Sequence, residues 1–262
     1  MGNKKILSID WDYFCDATIE EIMRLFPDGG NENLPLFLSN IIWASRYSSS
    51  TLMQDEKGLE NIEIKKQEFE LVKKILEKVC QNDIDIVIAE SHAGMYDFTK
   101  TFKGNVDVYN IDFHHDMFDN DSKCVNCGNW LKKLIDGKKV EKAFWVKGDN
   151  SDMNIPKGLN VLGSVKDLEN IDFDGVFICK SSVWSPPHLD KYFLELLELL
   201  EDCYDFNMFI DSDIFIDRYE EIKDKIEEDM KTMKKFINKN DGDDSIKQKL
   251  KDMSNKLRED LI

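Results

Sequence analysis

Asp112, His114 and Asp116 stand at the end of the apolar-rich run Val106-Asp107-Val108-Tyr109-Asn110-Ile111-Asp112-Phe113-His114-His115-Asp116-Met117-Phe118. The run favours a β-strand, and strand alternation sends side chains two apart toward the same side, so the three can converge. Two carboxylates and an imidazole are the mixed oxygen and nitrogen donors that suit manganese, iron or zinc, with a carboxylate able to bridge two ions. His115, one step out of phase, is expected to face away. A solvated loop after a strand could show the same triplet, so its weight depends on the other acidic pairs in the chain.

Two candidate pairs follow strand-like runs. Asp10 and Asp12 follow the strand-like run from Lys5, in Ile9-Asp10-Trp11-Asp12-Tyr13-Phe14, and Asp211 and Asp213 follow a candidate strand over 206–210. His92 comes just after a candidate strand from Ile84 to Ala89, next to Glu90 and Ser91. Carboxyl ends of parallel strands are where open α/β sheets gather their ligands, which lifts His92 above an ordinary structural histidine.

The elements that would position these groups alternate along the chain. Further strands are expected at 143–146, 160–162 and 175–179, each bounded by turn residues. Between them, apolar residues recur at helical spacing. Asp16 could cap a helix carrying Ile19, Ile22, Met23 and Leu25, and another holds Phe37, Leu38, Ile41, Ile42 and Trp43. Further helices are expected over 64–80, over 127–135 and, after the tandem prolines 186 and 187, over 189–200. The polar stretch 48–61 is expected to be a loop over a site. Short connections between alternating strands and helices imply an α/β fold: three αβα layers around a mainly parallel sheet. We expect one catalytic domain over 1–217 and a charged helical extension over 218–262, read as two peripheral helices.

At 262 residues and 42% hydrophobic content the chain can bury a sizeable core. A formal net charge of -17 argues against nucleic acid or an anionic membrane surface as a partner and is compatible with a cationic substrate. Acidic charge also serves solubility, so it does not identify the substrate by itself. The first residues lack the apolar core of a signal peptide and no later stretch is long enough to span a bilayer, so a cytoplasmic location is expected. Six cysteines are then expected to be reduced, without structural disulfides. Cys124 and Cys127 have the spacing of half a zinc site, but no second pair follows at a suitable distance.

The Asp112-x-His114-x-Asp116 stretch, His92 after an earlier strand and an Asp-x-Asp pair together resemble the arginase and deacetylase superfamily. Ile9-Asp10-Trp11-Asp12-Tyr13-Phe14, Gly128-Asn129-Trp130 and Ser181-Ser182-Val183-Trp184-Ser185-Pro186 look like its peptide arginase branch, from ribosomal-peptide pathways. The resemblance implies two Mn2+ ions and hydrolysis of arginine side chains in a peptide to ornithine, with release of urea. It also implies that Asp10, Asp12, His92, Asp112, His114 and Asp116 are the metal ligands, with Asp116 orienting the attacking hydroxide. One departure is in chain order. Ordinary arginases place the Asp-x-Asp pair after the Asp-x-His-x-Asp stretch, which would select Asp211 and Asp213; the local wording selects Asp10 and Asp12 and implies a permuted strand order. Asp10 and Asp12 are preferred, because a metal requires local donors and not a chain order.

For the leaving amine, His188 is the candidate proton shuttle, since histidine titrates in the required range. Glu90 could grip the guanidinium as a bidentate partner, and Asn129, Trp130 and Ser182 are further candidate substrate contacts. Alternatives are a hydrolase of a free guanidino compound or an acetylated amine on the same fold, or a metal-stabilised binder of cationic peptides that turns nothing over.

Overall fold

The apolar runs of the sequence become the strands of one sheet in the computed structural model, which describes residues 2–18, 21, 36–52, 58–82, 84–118, 123–151, 153–201, 208–210 and 216–239. In chain order the strands are β1 (Lys4–Asp10), β2 (Cys15–Asp16), β3 (Glu63–Ile64), β4 (Asp85–Ala89), β5 (Val106–Asp112), β6 (Val140–Lys147), β7 (Leu159–Leu162), β8 (Gly175–Cys179) and β9 (Met208–Ile210). The α-helices are α1 (Leu36–Leu52), α2 (Lys66–Val79), α3 (Gly94–Thr101), α4 (Trp130–Asp136), α5 (Asp190–Glu201) and α6 (Arg218–Lys239).

Seven strands form the main sheet in the order β7-β6-β5-β1-β8-β4-β9, and every pairing in it is parallel. β2 and β3 make a separate antiparallel pair. The spatial order is permuted relative to the chain: β1, the first strand, lies at the centre between β5 and β8. All the carboxyl ends of a parallel sheet share one edge, so the ends of β1, β4, β5 and β8 meet there.

Alternation along the strands sorts their side chains into two cores. Ile6, Val106, Val108 and Phe177 pack on one face with Met95 and Phe98 of α3 and Trp130, Leu131 and Leu134 of α4. Leu7, Ile9, Ile86, Ile88, Ile111, Val176 and Ile178 pack on the other with Phe69, Val72 and Leu76 of α2 and Phe193, Leu196 and Leu197 of α5. The fold is therefore a three-layer α/β arrangement. α2 follows from its sequence: Phe69, Val72, Ile75, Leu76 and Val79 make one buried stripe, with Glu68 in the first turn and Lys78 in the last, where each complements the helix dipole.

Several expectations change. The stretch 48–61 is not a single loop: α1 continues to Leu52, and Leu59–Asn61 forms a turn of 3-10 helix. Within α1 the Ser48 hydroxyl donates to the Ala44 carbonyl, so this serine satisfies itself without leaving the helix. In the expected extension beyond 217, Ile222 and Ile226 of α6 belong to the same buried cluster as α2 and α5. Cys80, at the end of α2, is disulfide-bonded, which corrects the expectation of six reduced thiols. Ile19, Ile22, Met23 and Leu25, the pair Asp211 and Asp213, and the second expected terminal helix lie outside the described residues.

Candidate metal centre

β1 delivers Asp10 and β5 delivers Asp112, on neighbouring strands whose register pairs Ser8 with Asn110 and Ile9 with Ile111. Alternation explains the convergence of these two, but the remaining groups arrive by turns. Asp12 sits in the 3-10 turn Trp11–Phe14, which Asp10 caps by accepting from the Asp12 backbone N–H at 3.3 Å. His114 follows β5, where its N–H donates to Asp112 Oδ1 at 2.7 Å. Asp116 has φ 50°, in the left-handed region that a side chain other than glycine enters seldom. His92 comes from the turn after β4, with its ring stacked on Phe177 and tilted against Trp130.

The result is a buried knot of acid and imidazole. His92 Nδ1 lies 2.9 Å from Asp116 Oδ2, 3.0 Å from Asp10 Oδ2 and 3.3 Å from Asp112 Oδ2. None of the three contacts is aligned as a hydrogen bond, and Asp12 Oδ1 is likewise buried without a hydrogen-bond partner. One ring nitrogen carries at most one hydrogen, so it cannot satisfy three carboxylates. His114 Nδ1 is 3.0 Å from Asp12 Oδ2 and 3.8 Å from Asp112 Oδ1. Two groups of donors could each hold a metal ion: Asp10, His92 and Asp112, and Asp12, Asp112 and His114, with ligand atoms in each group within 4.8 Å of one another. Asp112 belongs to both. Orphaned buried donors and a carboxylate and imidazole set fit a divalent cation.

A further layer orients these groups. Ser8 Oγ is 2.6 Å from His92 Nε2, which leaves Nδ1 to face the carboxylates. Asn110 Nδ2 donates to Asp112 Oδ2 at 3.0 Å, and Trp130 Nε1 donates to Asp116 Oδ2 at 2.5 Å.

Burial and mutual proximity set the electrostatics of the knot. Burial, with the charge of Asp10 adding to it, raises the Asp12 carboxyl to about 7. Burial, aided by Asp116 and Asp10, raises Asp112 to about 8. At His114 burial opposes the charged ring, yet Asp12 outweighs it and lifts the value to about 10. At His92 burial is likewise outweighed, by Asp10 and Asp116, and the ring is raised well above its ordinary value. Asp10 moves down: burial, the largest single influence, pushes it up, but His92, Ser181 and His114 together outweigh it. Burial thus keeps protons on Asp12 and Asp112 up to a pH at which exposed carboxylates are already ionised.

A cavity of about 230 Å³ opens onto this cluster, lined by Asp10, Asp12, His114, Asp116, Phe118, Cys127, Gly128, Met153 and Trp184. Gly128 allows a close approach: a Cβ there would fall 2.9 Å from the Phe118 ring.

Four sequence-expected substrate contacts and the proton shuttle do not line this cavity. His188 is turned away from it, since Nδ1 lies 2.5 Å from the Tyr47 hydroxyl and Nε2 lies 2.7 Å from the Ile62 carbonyl. Both of its nitrogens are engaged in these two contacts. Glu90 accepts from the Ser182 backbone N–H at 2.8 Å. Asn129 ties its own loop, accepting from the Asn126 N–H and donating to the Cys124 carbonyl. Trp130 acts on Asp116 from beneath, and Ser182 offers its carbonyl to Trp43 Nε1 and to Arg218. His115 does face away, its Nδ1 accepting from the Met117 N–H and its ring packed against Phe118 and Trp145.

The sequence reading missed Ser8 and Asn110, although each is a polar residue two positions before a ligand in an otherwise apolar strand, a signal that alternation would have exposed. It assigned no site role to Phe118, Met153 or Trp184.

The fold and the cluster define an α/β protein with a buried Asp/His centre at the carboxyl edge of a parallel sheet. Beyond that class, no protein family, curated protein or solved structure matches this chain. Among the described residues, no helix is long and apolar enough to cross a membrane.

Proposed function

We propose that this chain is a metal-dependent hydrolase of guanidino groups that converts arginine side chains of a peptide to ornithine and releases urea. The observation that carries the reading is His92 Nδ1 within 3.3 Å of three buried carboxylates, beside a cavity that carboxylates also line. Two divalent ions, Mn2+ by preference for a carboxylate-rich site, would be held by Asp10, His92, Asp112 and Asp116 and by Asp12, Asp112 and His114. When bound, they supply activated water at neutral pH and charge stabilisation.

The chain's own residues do the rest. Asp12 and Asp116 line the cavity, where the carboxylate oxygens not engaged with the ions would accept hydrogen bonds from a planar cation and bring its carbon to the attacking water. Asp116 is held by Trp130, so its free lone pairs are pre-aimed to orient the nucleophile. The water oxygen bonds to the guanidinium carbon and gives up its two protons; collapse then breaks the bond from that carbon to the side-chain nitrogen, which takes up both protons and leaves as the ornithine ammonium while the carbon leaves as urea.

The test is a paired assay of the Mn2+-loaded protein on an arginine-containing peptide and on free arginine, read as urea together with peptide mass. Urea and ornithine from the peptide, with little from free arginine, support the proposal. Release of acetate from acetylated amines in place of urea, or no turnover of any of them, would overturn it.

A further inference from the structure

Trp184 lines the cavity, yet no strand or helix carries it: it belongs to the loop that follows β8. That loop is bound down by an unusual share of the protein's buried polar groups. Ser181 takes φ 47°, and the N–H groups of Trp184 and Ser185 both return to the Ser181 carbonyl, at 2.9 and 3.1 Å. Glu90 holds the Ser182 N–H, and Trp43 Nε1 holds the Ser182 carbonyl at 2.9 Å. From the start of α6, fully buried Arg218 donates to the Ser182 carbonyl and, at 3.0 Å, to the Ser185 carbonyl. Its guanidinium is fixed in turn by both oxygens of buried Asp190, at 2.5 and 2.7 Å. These tethers fall at residues that do not line the cavity; the side chain that the loop contributes to the lining is Trp184. Its ring lies 5.5 Å from that of His114, at 62°.

A loop pinned this firmly presents a preorganised indole to whatever enters. Tryptophan offers the strongest aromatic face for a cation, and Asp12 and Asp116 line the same cavity as candidate acceptors. A planar cation can use both at once, its N–H groups toward the carboxylates and its face toward the ring. A tetrahedral ammonium has no such face.

We propose that Trp184 is the substrate-binding residue that selects a guanidinium over an ammonium side chain, an inference that rests on the hydrolase reading for its biological sense but not for its test. Mn2+-loaded wild type, Trp184→Phe and Trp184→Leu are titrated by calorimetry with arginine amide and with lysine amide, which share a missing carboxylate and differ in the cation. Metal content and melting temperature are measured on the same samples. Trp184→Leu is expected to weaken arginine amide about tenfold and lysine amide far less, with Trp184→Phe close to wild type and metal content unchanged. Turnover, where present, should show the loss in KM more than in kcat. Equal loss of the two amides, unchanged arginine amide affinity in Trp184→Leu, or no arginine amide binding by the wild type would overturn the assignment. Failure of the hydrolase reading shows separately, as wild type that binds arginine amide in this pattern but releases no urea.

Discussion

Replacing Trp130 with phenylalanine removes one hydrogen-bond donor from the centre and leaves an aromatic ring in its place. The indole Nε1 donates to Asp116 Oδ2 at 2.5 Å, and both residues are buried, at 0% and 3% exposure. A hydrogen bond to a buried charged group contributes roughly 1.5–3 kcal/mol. Orienting partners of metal ligands are correspondingly worth about 10- to 100-fold in metal affinity. Trp130→Phe should therefore weaken Mn2+ binding by an amount in that range. It also vacates core volume, costing about 1–3 kcal/mol of stability, which has to be separated from the first effect. Trp145 provides the control: it is equally buried, and its Nε1 donates at 2.8 Å to the Asp112 backbone carbonyl and not to a carboxylate. Trp145→Phe should lower the metal-free melting temperature comparably while keeping Mn2+ affinity within a few-fold of wild type. The assay is calorimetric titration of metal-free protein, with circular dichroism confirming the fold. Equal Mn2+ affinity in wild type and folded Trp130→Phe would refute the role given to this bond, and equal loss in both variants would reduce it to packing.

In metal-free protein, Asp12 and Asp112 bind protons more tightly folded than unfolded, rising from 3.8 to about 7 and about 8, so the stability they confer is full below 3.8 and lost as pH rises through 7 and 8. Melting temperature should accordingly fall across that window without metal, and saturating Mn2+ should abolish the fall; a metal-free melting temperature that rises there would contradict the shared-proton description. His188→Asn should lower stability by about 1–2 kcal/mol through the lost bonds to Tyr47 and the Ile62 carbonyl while leaving kcat near wild type, and a collapse of kcat in the folded variant would return His188 to the chemistry. Asp12→Ala should lose urea release and one metal equivalent together, measured by colorimetric urea assay and by elemental analysis; full activity in that variant would remove the amino-terminal pair from the site.

Much of the fold was legible because buried parallel strands are short apolar runs with sharp ends: Gly175–Cys179 could be delimited from composition alone. The candidate ligands were legible by type, though not by mechanism of assembly. Alternation accounts for Asp10 and Asp112, whereas Asp12 depends on a 3-10 turn and Asp116 on a left-handed backbone held near Trp130, neither of which has a strand period. What could not be read was whatever is fixed at long range. Trp184 owes its place to Arg218 and Trp43, and His188 is withdrawn by Tyr47 and the Ile62 carbonyl, partners that no local pattern announces. The serines of α1 favour a loop by local pattern because their alternative to helix is strong, yet Ser48 closes its bond inside the helix.

Asp112 stands in both donor groups, beside His92 and Asp10 on one side and His114 and Asp12 on the other. Mn2+ stoichiometry of wild type and Asp112→Ala, measured by elemental analysis on protein of confirmed fold, therefore tests the centre most directly. The account expects two ions per chain in wild type and neither in Asp112→Ala; a folded Asp112→Ala that still carries two would contradict it.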